Sequence, residues 1–182
     1  MDAREKFMQA GWLRRVIVKL EELPQPVIAA IRGYCYGGDF ELALACDFRI
    51  ASENAVFHFL EMSLGAFPDS GGPVRLCRIV PSGWAKEILM TARKVSAAEA
   101  REMGLVCRLV EDDALEREAE SICAEIQKST FRGISSAKTI INSIQNHDLQ
   151  NAFALSNALR EGLEGSSEYI ARIDRHFAER NR

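Results

Sequence analysis

Apolar residues near the start of the chain recur at helical spacing. Met8, Trp12, Leu13, Val16, Ile17 and Leu20 share one face, so residues 2–22 predict an amphipathic helix. Pro24 and Pro26 stop it, because each removes a backbone donor and fixes φ. Val27–Ile31 is then continuously apolar, the pattern of a strand covered on both faces. Gly33 ends that strand, and Gly37-Gly38-Asp39 leads into a short, mostly apolar helix from Phe40 to Cys46. Asp47–Ala51 predicts a second strand, Ser52-Glu53-Asn54 a turn, and Val56–Phe59 another short strand.

The stretch Gly65–Gly72 has the composition of a loop, and Pro73 suits the first position of the next helix. Ser82 is placed to cap a helix running to Met90. Ser96-Ala97-Ala98-Glu99 is a capping box, Gly104 closes the helix it opens, and Leu105–Val110 predicts a strand. From Asp113 onward the pattern is helical, with breaks at Thr130–Gly133, His147-Asp148 and Gly165-Ser166-Ser167. The chain thus predicts an α/β front and a helical back: a core over residues 1–130, and a C-terminal helical region of the same domain over 131–182. After Asp148 the apolar positions Ala152, Leu155, Leu159 and Leu163 exceed what a solvated helix needs, and predict packing against another subunit.

Composition mainly excludes. The net charge is −3, and no block of like charges runs longer than Glu111-Asp112-Asp113, so the chain lacks the basic stripe of a nucleic-acid surface. With 47% hydrophobic and 27% charged residues it reads as an ordinary soluble globular protein. No apolar run has the length of a membrane span, and Met1–Glu5 lacks the core of a signal peptide. The five cysteines are scattered singly, which argues against zinc or a disulfide framework and for a cytoplasmic location. His58, His147 and His176 lie too far apart in sequence to suggest a metal site.

The chemistry concentrates between Gly37 and Gly72. Gly37-Gly38, at a strand end and a helix start, lets a ligand approach free N–H groups that attract negative charge, such as an enolate oxygen; a turn glycine needed only for packing gives the same pattern. Glu41 stands in the first turn of the helix, where the dipole favours an acid. Its neighbours Phe40, Leu42, Ala43, Leu44 and Ala45 also imply burial, and burial raises a carboxyl pKa into the range of acid–base work. Glu61, alone, reads as a loop residue; two carboxylates converging on one water could divide the roles of acid and base.

These residues lie in longer motifs. Pro26–Asp47 resembles the crotonase (enoyl-CoA hydratase/isomerase) signature PVIAAVxGxAxGGGxELAxxCD. Phe57–Leu76 is similar to the family's F-x-x-P-E-x-x-L-G-x-x-P-G-x-G-G-x-x-R-L, and Ser96–Val106 to its S-A-x-E-A-x-x-x-G-L-V. The resemblance runs from about Leu20 to the C-terminus and implies a ClpP/crotonase fold, stacked ββα turns followed by helices that build a homotrimer, often paired into a hexamer. It implies an acyl-CoA thioester as ligand and no separate cofactor, coenzyme A being part of the substrate. Glu41 and Glu61 match the two hydratase glutamates, and Gly38 matches a donor to the thioester oxygen. Tyr36, Gly37, Gly38, Leu60, Glu61 and Asp69 are the implied substrate contacts. The implied reaction is hydration of a 2-enoyl-CoA.

Four departures qualify it. Asp39 and Phe40 replace a glycine and a small residue beside the oxyanion turn, and Leu60 replaces a proline. Asp69 stands where hydratases carry glycine; it caps the following turn or, with Glu61, serves an enoyl- or dienoyl-CoA isomerase. The family's N-terminal third, with its second oxyanion donor and much of the coenzyme A loop, has no counterpart here. That implies an impaired catalyst, an exposed edge at Val27–Ile31, and, as an alternative function, a non-catalytic homologue acting as an assembly subunit.

Overall fold

The structure, a computed structural model, describes residues 3–144 and 148–180. They form two compact units, Met1–Cys123 and Ala124–Arg182.

In the first unit, α1 (Ala3–Glu22) buries Ile17 completely, while Trp12, which the spacing puts on the buried face, is 60% exposed. The chain then lays down two sheets in alternation. Strand β1 (Ile28–Ile31) pairs in parallel with β3 (Phe48–Ser52), which pairs in parallel with β6 (Arg108–Val110). Strand β2 (Tyr34–Tyr36) pairs in parallel with β4 (Val56–His58), and β4 runs antiparallel to β5 (Val95–Ser96). Each passage from the first sheet to the second turns a corner, and the two corners are tied. Gly33, at φ 64°, receives a bond on its carbonyl from Val56 N–H and donates its own N–H to Asn54 Oδ1. Helix α2 (Gly38–Ala45) follows β2, and the one-turn α3 (Leu60–Ser63) follows β4, so the front of the chain is a pair of stacked ββα turns.

The sequence pattern misses β2 and β5, which are too short, at three and two residues, to show a period. It overextends β6: Leu105 and Val106 are fully buried but precede the strand, where Val106 N–H donates to Ala100 O and Leu105 O accepts from Arg49 Nε. Strand β1 is less covered than its apolar run implies. It is an edge strand, and only Ile31 of its four residues is buried.

Helices α4 (Gly72–Ile79), α5 (Ser82–Thr91) and α6 (Ala97–Glu102) complete the front. Pro81, not Ser82, occupies the cap of α5, whereas the Ser96–Glu99 capping box at α6 forms in both directions. The core gathers Phe40, Phe57 and Phe59, with Phe40 4.6 Å from the Phe59 ring and 5.4 Å from that of Phe57. A 3-10 turn (Asp112–Ala114) and α7 (Leu115–Gln127) lead on, and the unit boundary falls inside α7.

The second unit holds α8 (Phe131–Ser143), α9 (Leu149–Glu164) and α10 (Ser167–Arg180). Thr130 and Asp148 cap α8 and α9 through their side chains; His147, expected beside that break, lies outside the described residues. The apolar residues left most open there are not those the spacing selects. Ala152 is buried and Leu155, Leu159 and Leu163 are half-buried, whereas Leu149, Phe153, Ile170 and Phe177 are exposed. Among the described residues no helix is long and apolar enough to cross a membrane.

Candidate active site

Helix α2 starts where β2 ends, and glycine is required at the junction for two reasons. Gly37 sits at φ 55°, a region side chains disfavour, and a Cβ there would stand 2.7 Å from Glu61 Oε1. Gly38 is the first helical residue, so its N–H is one of those that the helix itself leaves without a partner. On its other side Gly38 packs on α1, where a Cβ would stand 2.7 Å from Leu13 Cδ2.

One turn on, Glu41 is 2% exposed. Its Oε1 accepts two backbone bonds, from Ser70 N–H at 2.9 Å and Gly72 N–H at 2.8 Å. Burial pushes its pKa up; the Gly72 N–H pulls it down, the Glu61 charge raises it, Ser70 N–H lowers it and Asp69 raises it, with a net increase. Gly72 is the seat for this carboxyl, since a Cβ there would lie 2.7 Å from both Glu41 Cγ and the Phe59 ring.

Glu61 stands on α3, a helical turn where the residue pattern predicts a loop. It is half-buried, its carboxyl lies against Gly37, and its Oε2 is buried with no hydrogen-bond partner among the described residues. Two more unpartnered buried atoms occur close by in the fold, on the paired strand ends Tyr36 and His58: the Tyr36 hydroxyl and His58 Nδ1. The two rings meet edge to face at 5.1 Å, and His58 Nε2 lies 3.0 Å from both Ser63 Oγ and the Ala92 carbonyl. Buried polar atoms are rarely left unmatched, and those that are tend to mark places where chemistry happens.

Asp69 is exposed on the loop before α4, yet its charge reaches Glu41. Leu60 is exposed beside Glu61, and Leu64 and Phe67 extend that apolar rim at 74% and 65% exposure. Of the residues singled out in the sequence, Gly37, Gly38, Glu41, Glu61 and Asp69 are thus brought together, with Tyr36 and Leu60 adjoining Gly37 and Glu61. Asp39 is exposed, and Phe40 is buried in the core beside Phe57 and Phe59.

Sequence reading misses the groups that hold Glu41. Ser70 and Gly72 donate to it, and Arg75 ties their loop down by donating to Ser70 O and to both oxygens of Glu21. The available signal was Gly71-Gly72 ahead of a proline-led helix, a start at which backbone amides are free.

The family model described as Enoyl-CoA hydratase/isomerase matches residues 5–180 of the chain. YngF of Bacillus subtilis (strain 168), whose name provisionally assigns it as an enoyl-CoA hydratase/isomerase, is 40% identical over 166 residues, covering 86% of this chain. Carnitinyl-CoA dehydratase of Salmonella typhi is 34% identical over 167 residues, covering 82% of this chain. The chain spans 64% of the length of either relative. The crystal structure of enoyl-CoA hydratase from Bacillus anthracis is similar at a TM-score of 0.95 and 35% identity, over 98% of this chain and 69% of that one.

Proposed function

Since the chain belongs to the enoyl-CoA hydratase/isomerase family and has the crotonase fold, we propose that it carries the site of a hydratase acting on 2-enoyl-CoA thioesters. The observation that carries this reading is that the Glu61 carboxyl lies against Gly37 while Glu41, whose own N–H donates to the Gly37 carbonyl, is buried with its pKa raised, first by burial and in part by the Glu61 charge. In the reaction one carboxylate takes a proton from water as its oxygen adds to Cβ. The other carboxyl, in its acid form, delivers a proton to Cα. Between these events negative charge rests on the thioester oxygen, where the Gly38 N–H can donate to it. Water is consumed, no electrons are exchanged, and no cofactor is needed beyond the coenzyme A that the substrate carries.

The test follows loss of enoyl thioester absorbance with short 2-enoyl-CoA substrates, using the protein purified from its own cells at its natural length. Glu41→Gln and Glu61→Gln are each expected to lower turnover by about 10²–10⁴-fold. Turnover unchanged by either substitution would overturn the hydratase reading.

A second reading is isomerisation by Glu61 and Asp69, since Asp69 stands beside Ser70, whose N–H donates to Glu41. In that case Asp69→Asn suppresses double-bond migration more than hydration; equal loss of both, or of neither, leaves it a turn residue. Tight acyl-CoA binding without any turnover would favour the non-catalytic assembly subunit. In each reading the exposed Leu149, Phe153, Ile170 and Phe177 support a homotrimer or hexamer built on the C-terminal helices, and the singly scattered cysteines favour the cytoplasm as its place. A monomer by light scattering across micromolar concentrations would remove that part.

A further inference from the structure

Glu41 owes its position to backbone amides on the loop that enters α4, and that loop has its own anchor. Arg75, in the second half of the first turn of α4, folds back over Gly71. The glycine is left-handed, at φ 93°, and a Cβ there would collide with the guanidinium. From this position Arg75 Nη1 donates to Ser70 O at 2.7 Å, while Nε and Nη2 each donate at 2.6 Å to one oxygen of Glu21 at the end of α1. The pair is sheltered, with the Arg75 side chain 13% exposed and that of Glu21 35% exposed. The carbonyl that Arg75 grips belongs to Ser70, whose N–H donates to Glu41, and two residues on lies Gly72, the other donor.

We propose that Arg75 and Glu21 are positioning residues for Glu41: the fork of Arg75, braced on Glu21, fixes the Ser70 carbonyl and so aims the Ser70 and Gly72 amides at Oε1. The inference rests on the reading of Glu41 as a carboxyl that moves protons. Arg75 acts through the loop and touches neither the reacting atoms nor Glu41 itself. A bidentate guanidinium suits this work, since its planar donors fix both partners in one orientation, which a lysine ammonium does not.

The charged groups around Glu41 are Glu61 from α3 and Asp69 from the loop, which raise its pKa, opposed by the Ser70 and Gly72 amides. Asp39 lies on α2 itself, and β2 contributes the buried Cys35 thiol. Loosening the loop weakens the two amide bonds and leaves the raising influences in place, so the Glu41 titration moves up. A hydrogen bond to a charged group is worth enough that losing one corresponds to an upward shift of about one pH unit.

The experiment titrates glutamate carboxyl carbons by NMR in the protein labelled with ¹³C-glutamate, the Glu41 signal being the one absent from Glu41→Gln. Arg75→Met is expected to move the Glu41 midpoint up by about one unit, Arg75→Lys by less, with Glu21→Gln between them. The exchange Glu21→Arg with Arg75→Glu restores an ion pair but gives Ser70 O no donor, so it recovers thermal stability and leaves the midpoint high. An unshifted midpoint in folded Arg75→Met, or full recovery of the midpoint in the double exchange, overturns the proposal. Should Arg75→Met fail to fold, Arg75→Lys and the double exchange decide by the same criteria. Because the readout is a titration, it stands apart from turnover: wild-type protein inactive on enoyl thioesters sinks the hydratase reading, while the midpoint shift still tests the positioning pair.

Discussion

Helices α2 and α3 each follow a strand of the second sheet, and each carries one site carboxylate near its start, yet they are built to opposite standards. Helix α2 is clamped at both ends. Gly38 abuts Leu13 at one end, and at the other Arg49, 7% exposed, donates to the Ala43 and Cys46 carbonyls. Five of its eight residues are buried, and its carboxylate is met by two fixed amides. Helix α3 is a single turn with none of its residues buried, and its carboxylate leaves Oε2 without a hydrogen-bond partner among the described residues. The contrast separates two requirements of acid–base catalysis. One group must be held against motion and its pKa set by surroundings that do not relax, whereas the other needs an acceptor kept free for a proton on substrate or water.

Substitutions beside the two carboxylates, one in the seat of Glu41 and one just past α3, should break this contrast most sharply. Gly72→Ala forces a methyl to 2.7 Å from Glu41 Cγ and from the Phe59 ring, and both of those side chains are buried. It is expected to cost about 1–3 kcal/mol in urea unfolding. Leu64→Ala, just past α3 and 74% exposed, is expected to stay within about 0.5 kcal/mol. Equal costs at the two positions would mean that the seat relaxes and α2 is no stiffer than α3.

A third first-turn carboxylate gives a control of opposite sign. Glu99 accepts from the Ser96 N–H and hydroxyl, and these bonds, backbone first, with Arg93 behind them, hold its pKa below the usual range. A depressed carboxylate contributes stability above its unfolded pKa and loses it as pH falls through the folded value. Ser96→Ala removes the hydroxyl half of the capping box and is expected to cost about 1 kcal/mol at neutral pH, less in acid. A cost that does not shrink below pH 4 would show that the box stabilises through the Ser96 hydroxyl's bond to Glu99 N–H alone.

How much of this was legible in the residues follows from range. The capping box, the α1 helix and the Gly37–Gly38 junction are local, their determinants within a few residues of one another, and pattern reading finds them. Strands β2 and β5 are set by pairing with β4, a non-local event that leaves no period in three or two residues. Glu41 was visible as an acid in apolar company, but its donors lie 29 and 31 residues on, and only the fold brings Ser70 and Gly72 to it. Arg75 and Glu21, 54 residues apart, carry no sequence mark of their partnership beyond opposite charge. The second unit shows the reverse error. Spacing selects Leu155, Leu159 and Leu163 as a face for another subunit, but α9 packs against α8 and α10, those three are half-buried, and Phe153 is exposed.

The smallest expected effect tests the α2 side of the comparison by pH. The folded-state pKa of Glu41 is raised, first by burial and then by Glu61 and Asp69, while the two amides offset part of the increase. For a carboxyl the folded chain then binds more protons than the unfolded chain between the unfolded value, about 4.3, and the raised one. Stability is therefore complete below the lower value and declines as pH rises through the higher, after which it is level. Glu41→Gln keeps an oxygen to accept from Ser70 and Gly72 but has no proton to lose, so it escapes this decline. The difference in unfolding free energy, variant minus wild type, should grow in the variant's favour across that window and be flat on either side. The Glu61 charge supplies part of the shift, so the same growth should be smaller when both proteins carry Glu61→Gln. A difference that ignores pH would mean that Glu41 titrates in the folded chain as it does in the unfolded one, and that burial on α2 is offset in full by its two amides.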